Sequence, residues 1–263
     1  MKPIRLGAVD YLNARPLVYG LEMRNDLFAI RFDVPSKCAA LLHEGSIDVG
    51  LIPAIEYLRR PFYYVVPDIG IVSDGRVASV ALFSTTPVGQ IRTIAADISS
   101  RTSNVLLQIL CYEVFGIDAA FEPMPPDVPA MLRRSDAALV IGDPALFFDH
   151  ATAGVLKTDL GEQWTALTGL PFVWAFWAGR PEVVPPNGVA ELIAARDRGV
   201  RASDAIAAIY CGPDRAALGK AYLRENIYYT LGEREQAGLR WYFDLAEKHG
   251  IVEVARAPAF YHR

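Results

Sequence analysis

Three short stretches of this chain combine residue types that bind and transform small anions. The first is Asp10-Tyr11-Leu12-Asn13-Ala14-Arg15-Pro16-Leu17, where a strand-like apolar run (Ile4, Leu6, Ala8) breaks into a polar turn. A short helix with Pro16 in its first turn is expected to follow. Asn13 then lies at a strand C-terminus and beside a helix N-terminus, where unpaired N–H groups and the helix dipole favour an anion. Asparagine is also a good helix cap, so capping alone accounts for it as well. The second stretch is Ser99-Ser100-Arg101-Thr102-Ser103, four hydroxyls and one guanidinium at a helix start. A cap needs one hydroxyl, and the surplus points to a cradle for a carboxylate or phosphate. The third is Ile141-Gly142-Asp143-Pro144-Ala145, a strand ending in a glycine turn before a helix. Asp143 there can cap the helix, orient a substrate hydroxyl or act as a base. Ser73-Asp74-Gly75, with Ser79 and Ser84 on the next strand, is a weaker signal.

Other chemistries leave no trace. There is no Walker lysine loop, no G-x-G-x-x-G, no H-E-x-x-H and no G-x-S-x-G. His43, His150, His249 and His262 all lie outside the three stretches, which argues against a metal centre or a histidine base. The site expected is polar and rich in hydroxyls, amides and helix ends, which suits a small, oxygen-rich anion.

These residues must be positioned by alternating strands and helices. Ile4–Val9 reads as a strand, Pro16–Arg24 as a helix, Ile30–Val34 as a strand and Ser36–Glu44 as a helix stopped by Gly45. Ile47–Ile52 is a strand and Ala54–Arg59 a short helix, so the rhythm predicts a largely parallel sheet. Tyr63–Val66 and Val77–Phe83 follow as strands. The alternation restarts with a strand at Thr93–Ala96, a helix at Arg101–Phe115 ended by Gly116, a strand at Phe121, a helix at Asp127–Arg133 and a strand at Ala137–Ile141. After a last strand at Phe172–Trp177, the chain reads as helical: Val189–Arg196, Ser203–Cys211, Arg215–Arg224 and Glu233–His249. The architecture expected is α/β with two lobes. Residues 1–86 and 175–263 form the first, residues 87–174 are inserted as the second, and a cleft lies between them.

Composition narrows the class. A chain of 263 residues with 52% hydrophobic and 21% charged residues can bury a real core. A net charge of −4 and a pI near 5.6 argue against a nucleic-acid partner. Cys38, Cys111 and Cys211 are far apart and read as buried free thiols of a reducing compartment. The N-terminus enters a strand pattern without a secretory signature, and Leu170 to Ala178 is far shorter than the about 20 residues of a membrane helix. A cytoplasmic protein is expected. Trp241, Tyr242 and Phe243 carry more aromatic surface than one helix face buries, so they pack on the first lobe or support a homodimer.

The chain resembles the chorismate dehydratases of the futalosine route to menaquinone. The matching blocks run from Tyr11-Leu12-Asn13-Ala14, Pro16-Leu17 and Tyr19-Gly20-Leu21 through Pro35-Ser36, Asp48-Val49-Gly50-Leu51 and Glu56-Tyr57-Leu58. They continue with Ser73-Asp74-Gly75, Ser79-Val80, Leu82-Phe83-Ser84 and Ser100-Arg101-Thr102-Ser103. Ile141-Gly142-Asp143, Asp159-Leu160-Gly161 and Thr168-Gly169-Leu170-Pro171-Phe172-Val173 complete the set. Asp10 departs from the pattern, since a small hydroxyl residue often stands there in the family. The resemblance implies a periplasmic-binding-protein-like (type 2) fold and loss of water from chorismate, giving 3-[(1-carboxyvinyl)oxy]benzoate, without metal or cofactor. Residues and resemblance together make Asn13 and Asp143 the catalytic candidates. Tyr11, Ser73, Ser84, Ser100, Arg101, Thr102, Ser103 and Gly142 are the substrate-binding candidates. A solute-binding protein that captures a small organic anion without chemistry is the alternative.

Overall fold

The computed structural model describes residues 2–262. Strand β1 (Ile4–Val9) buries its last four residues and pairs in parallel with β2 (Phe28–Asp33) and β3 (Val49–Pro53). The chain between β1 and β2 is shorter in helix than expected. Helix α1 (Arg15–Val18) stops before Gly20, whose φ of +78° turns the backbone into a separate 3-10 turn at Leu21–Met23. Helix α2 (Pro35–His43) and the 3-10 turn Ala54–Arg59 flank β3 as expected. Strands β4 (Tyr64–Val65) and β5 (Ile71–Ser73) follow.

The chain then crosses to a second sheet. Strand β6 (Val80–Ser84) opens it, before β7 (Thr93–Asp97), helix α3 (Thr102–Leu110), β8 (Ala120–Met124) and helix α4 (Val128–Leu132). Strand β9 (Ala137–Ile141), helix α5 (Gly142–Leu146), β10 (Leu156–Asp159) and helix α6 (Leu160–Thr168) complete it. Strand β11 (Phe172–Gly179), buried along its whole length, returns to the first sheet and inserts antiparallel beside β3. Helices α7 (Pro186–Arg201), α8 (Ser203–Ala221) and α9 (Glu233–Lys248) and the short strand β12 (Ala259–Phe260) finish the chain.

The strand orders are β12-β4-β11-β3-β1-β2, with β5 also on β11, and β10-β6-β9-β7-β8. Strand β6 therefore belongs to the second sheet, which starts at Val80 and not at residue 87, and β11 enters the first sheet from Phe172. Its antiparallel pairing with β9 is what places β6 there. Central strands β3, β6, β9 and β11 are buried throughout, as strands covered on both faces must be.

Both crossings between the sheets are tied by one carboxylate. Asp159, 5% exposed, accepts the N–H groups of Val77 and Ala78 from the first crossing at 3.0 and 2.7 Å. It also accepts those of Gly161 and Glu162 at the second. Ala78 holds a φ of +62°, a left-handed conformation that costs a non-glycine residue free energy and that this grip maintains. Asp74 pairs with Arg234 at 2.5 Å, and the Gly75 N–H donates to Thr165 Oγ1, so the Ser73-Asp74-Gly75 turn is pinned to α9 and α6.

Tyr242 and Phe243 are buried in the main core while Trp241 stays half exposed. Cys38 and Cys111 are buried and Cys211 is partly exposed, all three as free thiols. Burial pushes the Cys38 thiol up to about 12, so it is inert. Among the described residues no helix is long and apolar enough to cross a membrane, and no group of three or more His, Cys, Asp or Glu could hold a metal ion.

Candidate active site

The C-terminal ends of β1, β3, β7 and β9 converge on one cleft, the place where open α/β sheets bind ligands. It is lined by Tyr11 and Asn13 after β1, Ser100, Arg101, Thr102 and Ser103 after β7, and Gly142 after β9. Seven of the residues singled out from sequence thus meet, although they come from three separate stretches. Ser79, Trp174 and a set of apolar side chains complete the wall.

Asn13 presents an amide oxygen that is buried and has no hydrogen-bond partner. Its neighbour is the Tyr222 hydroxyl, which also lies 2.7 Å from Ser79 Oγ. Tyr229 fixes the backbone here by donating its hydroxyl to the Asn13 carbonyl at 2.9 Å. A buried acceptor without a donor costs free energy that a substrate hydroxyl would recover. Asn13 caps no helix, so the capping explanation fails.

The Ser99–Ser103 turn is built around Asp97. That fully buried carboxylate accepts Ser99 N–H and Oγ–H at 2.8 and 2.6 Å and the Ile141 N–H at 3.2 Å, so it joins the ends of β7 and β9. Burial raises its pKa. Thr102 Oγ1 accepts the Ile55 N–H at 3.2 Å, and Tyr242 donates to the Thr102 carbonyl at 3.0 Å, which docks the start of α3 on the first sheet. The α3 N-terminus faces the cleft with its positive dipole end. Behind Arg101 stands Glu56, a buried carboxylate 4.0 Å from the Arg101 guanidinium. Glu56 is also paired with Arg59 at 3.0 Å and hydrogen-bonded to His43 at 2.8 Å.

Three expected site residues lie elsewhere. Ser84 is at the far end of β6, opposite Ala137 at the start of β9, and donates to the Thr86 carbonyl. Strand β6 runs away from the cleft, so Ser79 at its beginning reaches the site instead. Ser73 is behind the wall, where its hydroxyl accepts the Trp174 indole N–H at 3.0 Å. Asp143 is not among the lining residues. Its carboxylate accepts the Leu12 N–H at 3.1 Å and the Tyr210 O–H at 2.5 Å. Asp10, the departure from the family pattern, is exposed and paired with Arg15.

Sequence reasoning missed Trp174, Tyr222 and Asp97. The first two fall within segments expected as a strand and a helix, and Asp97 falls just past the strand expected at Thr93–Ala96. Among the described lining residues, Arg101 is the ionised side chain, and Tyr11 is held neutral because burial raises its hydroxyl pKa.

The architecture matches a wide class of solved proteins. The chain is similar to a protein of Archaeoglobus fulgidus, with a TM-score of 0.79 at 18% identity, covering 95% of this chain and 99% of the other. It is also similar to the periplasmic aliphatic sulphonate binding protein of Escherichia coli, with a TM-score of 0.66 at 18% identity and coverage of 97% and 95%. The class is therefore the two-lobed, periplasmic-binding-protein-like fold with its ligand cleft between lobes. Within it, a family profile described as menaquinone biosynthesis matches residues 4–248. The chain is 30% identical over 209 residues to a chorismate dehydratase of Thermus thermophilus, covering 73% of this chain and 76% of that relative. It is 30% identical over 175 residues to one of Campylobacter jejuni, covering 64% of each. The chain belongs to this menaquinone-biosynthesis family.

Proposed function

We propose that this chain eliminates water from chorismate to give 3-[(1-carboxyvinyl)oxy]benzoate, without a cofactor and in the cytoplasm. Both curated relatives are chorismate dehydratases. The observation that carries the reading is the lining of the cleft: one guanidinium, one helix N-terminus and one unpartnered amide oxygen, with hydroxyls around them. That set fits a dianion that also carries a hydroxyl to be oriented.

Arg101 and the start of α3 hold one carboxylate, with Ser100, Thr102 and Ser103 supplying neutral donors. Trp174 flanks the ring, and Tyr11 closes the opposite side. Asn13 Oδ1 accepts the C4 hydroxyl of the substrate and fixes its direction. An amide does not titrate near neutral pH, so Asn13 orients and does not deprotonate. The C3 proton passes to the substrate's own enolpyruvyl carboxylate. The C3–H electron pair becomes the new C3–C4 double bond as the C4–O bond breaks, and the carboxyl group hands that same proton to the departing oxygen, which leaves as water. The product ring is aromatic, so positioning suffices, and well-oriented intramolecular reactions gain about 7–11 kcal/mol that way. The two sheets act as the moving lobes, linked by the crossings that Asp159 joins.

The test is to incubate the purified protein with chorismate and follow loss of the diene absorbance, with the aromatic product identified by chromatography. Turnover supports the reading. Binding without turnover overturns it in favour of solute capture.

A further inference from the structure

Asp143 follows Gly142 on the second lobe, yet both donors to its carboxylate come from elements of the first lobe, the turn after β1 and helix α8, which packs against α1 and α7. Leu12 N–H reaches one oxygen at 3.1 Å and Tyr210 O–H the other at 2.5 Å. Tyr210 belongs to α8, which is broken at Gly212 (φ +68°, ψ 178°) and Pro213. After the break, the Arg215 guanidinium lies 4.9 Å from the centre of the Phe147 ring, just past α5. Arg15 stacks over the Tyr210 ring at 5.0 Å, which fixes the donor from the other side. Leu12 stands between Tyr11, whose ring lies over Gly142, and Asn13. Separating the lobes would break both hydrogen bonds at once and free the segment that carries Tyr11 and Asn13. A group whose partners exist in one conformation alone biases the equilibrium toward it.

We propose that Asp143 is a positioning residue: with Leu12 and Tyr210 it forms a clasp that fastens the lobes together and sets Tyr11 and Asn13 in the cleft. The kinetic part of its test rests on the elimination proposed above; the structural part does not.

Asp143→Asn and Tyr210→Phe are compared with the parent protein by hydrogen exchange and by steady-state kinetics with chorismate. The clasp requires that both variants speed amide exchange in residues 11–14 and also in residues 101–103, across the cleft and beyond Ser99, to which Tyr11 is hydrogen-bonded. A purely local role leaves 101–103 unchanged, and that result overturns the proposal. In turnover, KM should rise about tenfold in both variants with kcat within about threefold, because a smaller closed population weakens binding without altering the bound geometry. The double variant should be no worse than the poorer single one. Collapse of kcat in Asp143→Asn with little effect in Tyr210→Phe would make Asp143 the proton acceptor and overturn the clasp. Should Asp143→Asn fail to fold, Tyr210→Phe, which loses a single hydroxyl, decides by the 101–103 exchange. If the parent protein does not turn over chorismate, the elimination fails while the exchange result still decides the clasp.

Discussion

The Tyr11 ring lies directly across Gly142: a Cβ at position 142 would stand 2.7 Å from two ring carbons. Gly142 also holds a φ of +64°. Gly142→Ala must therefore strain the backbone and displace the ring together. We expect a loss of about 2–3 kcal/mol in stability, measured by denaturant unfolding, and a marked rise in KM. Unchanged stability would show that the ring is free to move aside.

Asn13→Ala should lower kcat by about 10²–10³-fold, the usual effect of removing one fixed polar group from a reacting centre. Tm should fall only modestly, because the amide oxygen has no partner in the protein and the side chain's hydrogen bond to Tyr222 is the single contact of this kind lost. Kinetics and thermal melting on the same preparation check both halves.

Arg101→Ala should raise KM by about 10–100-fold, with a smaller effect on kcat, since it removes the cation proposed to meet a substrate carboxylate. Arg101→Lys should recover part of this, lacking the planar fork. The dependence of kcat/KM on salt should weaken in Arg101→Ala relative to the parent.

Asp159→Asn should destabilise the protein by about 2–3 kcal/mol, because four backbone N–H groups share that carboxylate and an amide offers a single acceptor oxygen. Limited proteolysis should then cut first near residues 74–79 or 160–171.

Asp48 accepts the Arg5 side chain at 2.7 Å and the Arg180 guanidinium at 3.0 Å. The hydrogen bond from Arg5 holds its carboxyl below the usual carboxylate range. A depressed folded pKa gives stability that is present above the unfolded value, about 3.9, and lost as pH falls through the folded one. Asp48→Asn should cost about 1 kcal/mol at neutral pH, discounted for the partly exposed Arg5, and the difference from the parent should vanish in acid. Urea unfolding at several pH values measures it.

Much of this was legible in the residues. Strands β1 and β9 and helix α2 follow directly from apolar periodicity bounded by Gly and Pro. The Asn13, Ser100–Ser103 and Gly142 segments converge because all three sit where a strand ends, which the fold class makes a single place. What escaped depends on direction and on distant contacts. Ser84 and Ser79 look alike on a strand, and nothing local tells that β6 runs opposite to β7 and β9. Strand β10 (Leu-Lys-Thr-Asp) is an edge with mixed exposure, so its periodicity is faint. Tyr222 meets Asn13 from more than two hundred residues away, and Asp143 reads equally as a cap or a base until Tyr210 is seen beside it.

The insertion of β11 between β3 and β4 has a consequence for synthesis. The first sheet lacks an interior strand until residues 172–179 leave the ribosome, whereas every strand of the second sheet has emerged by residue 159. The half of the molecule made later in sequence is thus the one able to complete its sheet earlier. The N-terminal half must wait with the edge of β3 uncovered, a stage at which nascent chains are prone to pair with one another.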